Sequence, residues 1–361
     1  MPGWHAALAD LVASKKIQLL GITQEQHADR CRLFAQWKHF DFPIAHDPIN
    51  QMRSKAVPLV VAIDEQGVVQ AVGPQSKWVR ETFVDTEYPI APTVPKATVP
   101  DTGRLQAHVE DRAEPATLRA LGDAAVLWES DPELAIASYA SLLESTPTGS
   151  DHFRLGVAYR MRYDSPSRQP QDFSRAVRHW SEALRIEPDQ YIWRRRIQQD
   201  GPRLDKPYPF YDWIDGANRD IQARGEAPVP VAIPLSGAEI ASPNEEFPTA
   251  LAQENPDPRG KISRDRGEYV RIETAAVPPL VKVVGALRLH LEFDVTGQAA
   301  WNNEIEPWLV WLEPQPGWLP EKSLLVYADA PQQAESTERR RMELEFKATR
   351  DAQNTTLRGF A

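Results

Sequence analysis

The chain has one cysteine in 361 residues, so only one side chain, Cys31, can act as a thiolate. It lies in QEQHADRCRLFAQWKHF (residues 24–40), four residues after His27, a spacing that places both on one face of a helix. The two are placed to touch one metal ion, but two ligands do not make a site, and no metal is assigned. Cys31, Phe34 and Ala35 also recur as an apolar stripe that Lys38 breaks, so packing competes with a redox role for Cys31. A single cysteine cannot close an intramolecular disulfide. No Gly-rich phosphate loop, nucleophile elbow or metalloprotease motif occurs, so no catalytic residue is assigned and no cofactor is expected.

Aromatic clusters are the other candidates. Tyr208, Phe210, Tyr211 and Trp213 fall within six residues of PYPFYDW, interleaved with prolines. They read either as a recognition surface or as a cap that buries its rings on a neighbouring helix. Trp301, Trp308, Trp311 and Trp318 crowd the C-terminal third, where core and rim packing competes with binding. A net charge of −10 argues against nucleic acid or an anionic membrane as partner, the run WRRRIQQ being a local exception. No apolar run is long enough to span a membrane. A protein client or a redox partner is expected; oligomeric state is open.

Three kinds of segment must position these residues, a multidomain α/β + α + β arrangement. Residues 1–88 alternate helices (4–13, 24–40) with strands (IQLLGI, FPIAHD), then give a hairpin, PLVVAIDEQGVVQAV, whose first strand reads as covered on both faces. Residues 89–115 and 227–260 are proline-rich linkers, the first extended. Residues 261–361 are all β: RLHLEF and RMELEF alternate strictly, the pattern of a half-exposed antiparallel sheet, and five or more such strands suggest a sandwich.

Residues 116–226 are helical and contain an echo. Ala135, Tyr139, Leu142 and Pro147 have the same spacing as Ala176, Trp180, Ala183 and Pro188, with Leu155, Gly156 and Tyr159 upstream of the second copy. This resembles the tetratricopeptide repeat. Gly156 to Ala176 spans 20 residues, more than that family allows, so YDSPSRQPQ must be an inserted loop. The first copy's Leu121 and Gly122 are off by one and lack the aromatic. Two repeats leave a helix face open, which PYPFYDW is placed to close.

The order of elements in residues 1–88, with AVP before the hairpin and IDEQG in its turn, resembles the thioredoxin-like fold, in the branch shared by peroxiredoxins and TlpA-type proteins. The resemblance implies a cis bond between Val57 and Pro58, lining a groove for an extended thiol substrate, and thiol–disulfide exchange at a Cys-x-x-Cys. That motif is absent from this sequence. Both ends of the sequence read as cut, and an upstream strand and redox motif are expected. The tryptophan-rich end is similar to immunoglobulin-like domains that accompany such proteins. Function is therefore expected in a redoxin system whose helical and β modules recruit a client, or in a non-enzymatic scaffold that uses the thioredoxin-like domain only to bind. Localisation is cytoplasmic or, by the TlpA resemblance, extracytoplasmic if an export segment is missing.

Overall fold

The computed structural model describes residues 2–90, 100–111, 114–144, 147–203, 210–240, 257, 259–261, 265–305 and 307–360. The chain groups into two compact units, each assembled from separated stretches. Helices and several small sheets give a mixed α/β protein.

The first unit comprises Met1–Met161, Glu182–Arg196 and Asp212–Pro234. It opens with α1 (Pro2–Ala13), then β1 (Gly21–Thr23) and β2 (Ile44–His46), which pair in parallel through the crossover helix α2 (Ala28–Trp37). The hairpin β3 (Val61–Ile63) and β4 (Val69–Val72) follows. Asp64 builds its turn by accepting the backbone N–H groups of Gln66 and Val68, each at 2.9 Å, while Gly67 supplies φ +82°. A short α3 (Ser76–Trp78) runs into a π-helical turn, Val79–Phe83.

The first hairpin strand is not covered on both faces as its apolar run suggests. Leu59 is 48% and Ile63 52% exposed, and among the described residues β3 pairs only with β4. An apolar β-branched run reports strand preference, and burial depends on neighbours it does not specify.

Within the stretch expected to be a linker, α4 (Thr102–Asp111) forms, started by Asp101, whose carboxylate accepts Arg104 N–H at 3.1 Å; residues 91–99 lie outside the described residues. Next come α5 (Pro115–Ala124), with Pro at its start, and α6 (Pro132–Leu142), capped by Asp131 accepting Leu134 N–H at 2.9 Å. These two pack as a hairpin in which Gly122 lies against the ring of the buried Tyr139. The unit also takes residues from α7 (Gly149–Tyr163), α8 (Asp172–Ile186) and α9 (Tyr191–Asp200), and all of α10 (Ile214–Ala223), which packs on α2.

The second unit comprises Arg162–Ser181, Ile197–Tyr211 and Leu235–Ala361. It contains the short α11 (Gly237–Ile240), β5 (Val270–Val277), β6 (Ala286–Val295), β7 (Trp301–Asn302), β8 (Leu309–Leu312), β9 (Trp318–Pro320), β10 (Leu324–Val326), β11 (Glu335–Ser336), β12 (Arg340–Ala348) and β13 (Gly359–Phe360). Antiparallel sheets run β5-β6-β12-β9, β10-β8-β13 and β11-β7. Leu289, Leu291, Phe293 and Leu344 from the four-stranded sheet share one core with Val310, Leu312 and Leu325 from the three-stranded one. Trp301 and Trp311 are buried, and Trp308 and Trp318 pack on that core.

The strict alternation in β6 and β12 is present, but the sheet is not half-exposed. Arg288, His290 and Glu292 are buried along with Leu287, Leu289 and Leu291. Alternation sets which side chains share a face and leaves open what covers that face.

Candidate functional site

The sole thiol sits in α2 with Sγ 2.9 Å from Oγ1 of Thr23 on β1. Burial pushes it up to about 11, against the lowering effect of the Thr23 hydroxyl, and the carboxylates of Glu25 and Asp29 add to the rise. At neutral pH it is a protonated thiol inside a packed helix, poorly placed for nucleophilic attack.

Around it the loop after β1 is tied down by Arg196, 3% exposed. Its guanidinium donates to Gln26 Oε1, to Gln24 O at 2.5 Å and to Pro48 O at 3.4 Å. The basic run 193–196 thus contributes a buried clamp. His46 donates Nε2–H to Glu25 O at 2.7 Å, and Asn50 accepts from Gln24 Nε2 at 2.6 Å. Burial lowers the pKa of His27 and His46, and the Arg196 cation lowers both further. Among the described residues no group of three or more His, Cys, Asp or Glu side chains is placed to hold a metal ion.

The Val57–Pro58 peptide is cis, and both residues are exposed just ahead of β3. Of the repeat positions, Leu155, Gly156, Ala176, Trp180 and Ala183 are buried, Tyr159 is half-buried, and Pro188 is exposed two residues past the end of α8. The inserted segment is the loop between α7 and α8, as its length requires. The aromatic cluster divides. Tyr208 lies outside the described residues; Phe210 and Tyr211 donate their backbone N–H groups to Glu239 O, and Tyr211 Oη accepts Gln199 Nε2 at 3.0 Å. Trp213 stacks on Trp37 of α2, centroids 5.9 Å apart and planes 6° apart, and meets Phe34 edge-on. The cap expected over a repeat end is, for Trp213, a contact with α2.

The densest polar arrangement was not singled out by sequence. On one face of β5-β6-β12, Glu343 Oε1 lies 3.2 Å from His290 Nδ1, and Arg288 bridges Glu343 at 2.9 Å and Glu345 at 2.6 Å. His290 Nε2 reaches Asp200 O at 2.7 Å. Farther along, Glu292 accepts from the Tyr163 hydroxyl and from Arg168, and pairs with Arg341 at 3.0 Å. Arg168 also stacks over Tyr163, 4.1 Å from the centroid. Tyr163 ends α7 and Arg168 lies in the loop between α7 and α8, whose ends are joined by the buried Arg162–Asp172 pair, Nη2 to Oδ1 2.7 Å. The signal available in the sequence was the polar half of RLHLEF and RMELEF.

Burial opposes charge on both partners of the central pair, yet the pair prevails. Glu343 is lowered to about 2 by the His290 hydrogen bond and the His290 and Arg288 charges. His290 is raised by Glu343 and Asp200 despite its desolvation. Because each charge has a partner, the arrangement is suited to fixing sheet and loop together more than to proton transfer.

Comparison of the chain with protein-family models, curated proteins and solved structures gives no match.

Proposed function

We propose that the chain is a non-enzymatic protein-interaction scaffold, in which a thioredoxin-like N-terminal part binds an extended segment and the helical, tetratricopeptide-like part and β part recruit a protein client. The observation that carries this reading is the state of Cys31: the only thiol in the sequence is half-buried, hydrogen-bonded to Thr23 and raised to about 11. Thiol–disulfide exchange runs through a thiolate, and this one is disfavoured. The order α1-β1-α2-β2, with its parallel pair, followed by an antiparallel hairpin and α3, supports the thioredoxin-like assignment.

The second reading, membership of a redoxin-type thiol–disulfide system, rests on the same order of elements. An insulin-reduction assay with dithiothreitol separates the two. Equal rates for the chain and for Cys31→Ala support the scaffold. A rate that depends on Cys31 overturns it in favour of redox chemistry.

A further inference from the structure

Within the second unit a groove of about 480 Å³ runs between the start of α8 and the edge strand β5. Its walls include Gln171, Ser174 and Arg178 on one side and the consecutive residues Arg271, Ile272, Glu273 and Thr274 on the other. Consecutive residues of one strand line a groove together only where the groove follows the strand's edge, because their side chains alternate between faces. Beyond Val270, whose N–H donates to Asp265 Oδ2 at 3.0 Å, that edge is open: β5 ends its sheet, and among the described residues it pairs as a strand only with β6.

The charges along the groove are unequal in availability. Glu273 accepts Gln171 N–H at 3.0 Å and pairs with Arg271 at 3.6 Å and Arg168 at 3.5 Å. Glu292 is held by Tyr163, Arg168 and Arg341. Arg178 is exposed and has no hydrogen-bond or ion-pair partner among the described residues. Arg271, half exposed, shares its charge with Asp294 and Glu273. The carboxylates of the groove are thus neutralised inside the unit, and a cation is left at its mouth. On the other face of β5, Ile272 is 53% exposed.

We propose that this groove binds an extended peptide of a partner protein that alternates acidic and apolar side chains and adds to β5 as a further strand. The strand's period of two places the acidic side chains on the α8 face, beside Arg178 and Arg271, and the apolar ones over Ile272. This deepens the scaffold reading above, on which it rests, by naming the site and the chemistry of its client.

The test uses the full chain and a fluorescein-labelled heptapeptide of alternating glutamate and valine, followed by anisotropy, with a lysine–valine heptapeptide for comparison. Expected are saturable binding of the glutamate peptide, at least tenfold weakening by Arg178→Glu with a gain for the lysine peptide, and slowed amide hydrogen exchange at residues 271–274 when the glutamate peptide is bound. Failure to saturate at millimolar peptide overturns the proposal, and so does binding without protection at 271–274. A chain that instead self-associates through this edge, with dimerisation abolished by Ile272→Asp, also overturns it, because the occupant is then a second copy. None of these variants touches Cys31, so loss of the scaffold reading in the insulin assay is a separate outcome.

Discussion

His290 on β6 and Glu343 on β12 stand directly opposite one another in an antiparallel pair, Nδ1 to Oε1 3.2 Å, with Arg288 on the same carboxylate and Asp200 O on the other ring nitrogen. The raised His290 stabilises the fold fully below the ordinary histidine value, about 6.5, and that stability is lost as pH climbs through its folded value. Glu343, lowered to about 2 from 4.5, stabilises above 4.5, and that stability is lost as pH falls toward 2. Protection factors of β6 and β12 amides, corrected for intrinsic exchange, are therefore expected to be highest between roughly pH 4.5 and 6.5. Glu343→Gln leaves a buried imidazolium short of its partner and should destabilise by about 3 kcal/mol. Protection that keeps improving above pH 7 would refute the pairing.

The histidines of the first unit work with the opposite sign. Burial, with nearby arginines, lowers His27 and His46, so their neutral forms support the fold above about 6.5 and that support drains away as pH falls toward their folded values. Asp47, raised by burial, offsets part of this at lower pH, since its protonation favours the folded state. Protection factors of the β1 and β2 amides, corrected for intrinsic exchange, should therefore fall as pH drops from 7 to 5, in a range where those of β6 and β12 hold. His46→Gln, which keeps a donor for Glu25 O, should flatten that slope. An unchanged slope in His46→Gln assigns it to His27.

How far the sequence could be read differs by element, for physical reasons. The hairpin turn around Asp64 and Gly67 and the alternation of β6 and β12 are local, written in residue types within a few positions. The burial of His290 and Glu292 is not, because Glu292 is covered by Tyr163 and Arg168 and His290 by Phe173 and Asp200, each about 90 positions away or more. The loop carrying Arg168 was visible only as an excess of length between Gly156 and Ala176. Helix α4 was hidden by surrounding prolines, its start depending on one carboxylate, Asp101. Cys31 was legible because its stripe and its helix share one period.

Trp213 and Trp37 make a stacked pair across α10 and α2, closed by Phe34. Trp213→Ala and Trp37→Ala should each lower stability in urea, and their double mutant should fall short of the sum by about 1 kcal/mol, the contribution of the ring contact beyond its area. Full additivity would mean that the rings are near without being coupled. The comparison works in the full chain, so it does not need α10 to fold by itself.

Gly122 and Tyr139 decide whether α5 and α6 approach as closely as they do. A Cβ on Gly122 would run into the Tyr139 ring, and that ring cannot step aside: it is fully buried, and its hydroxyl donates to Asp123 Oδ1 at 2.8 Å, a carboxylate also held by Arg154 at 2.8 Å. Replacing a mid-helix glycine by alanine on an open surface stabilises by about 1 kcal/mol. Here the overpacking term, about 1–3 kcal/mol, opposes it and wins, because the neighbour is a rigid ring fixed at both ends. Gly122→Ala should therefore lower the melting temperature by several degrees, while Gly122→Ala with Tyr139→Leu, which removes the obstructing ring, should recover part of the loss. A single variant as stable as the parent, or more so, would show that the helices separate at little cost and that the close approach is not what holds this hairpin.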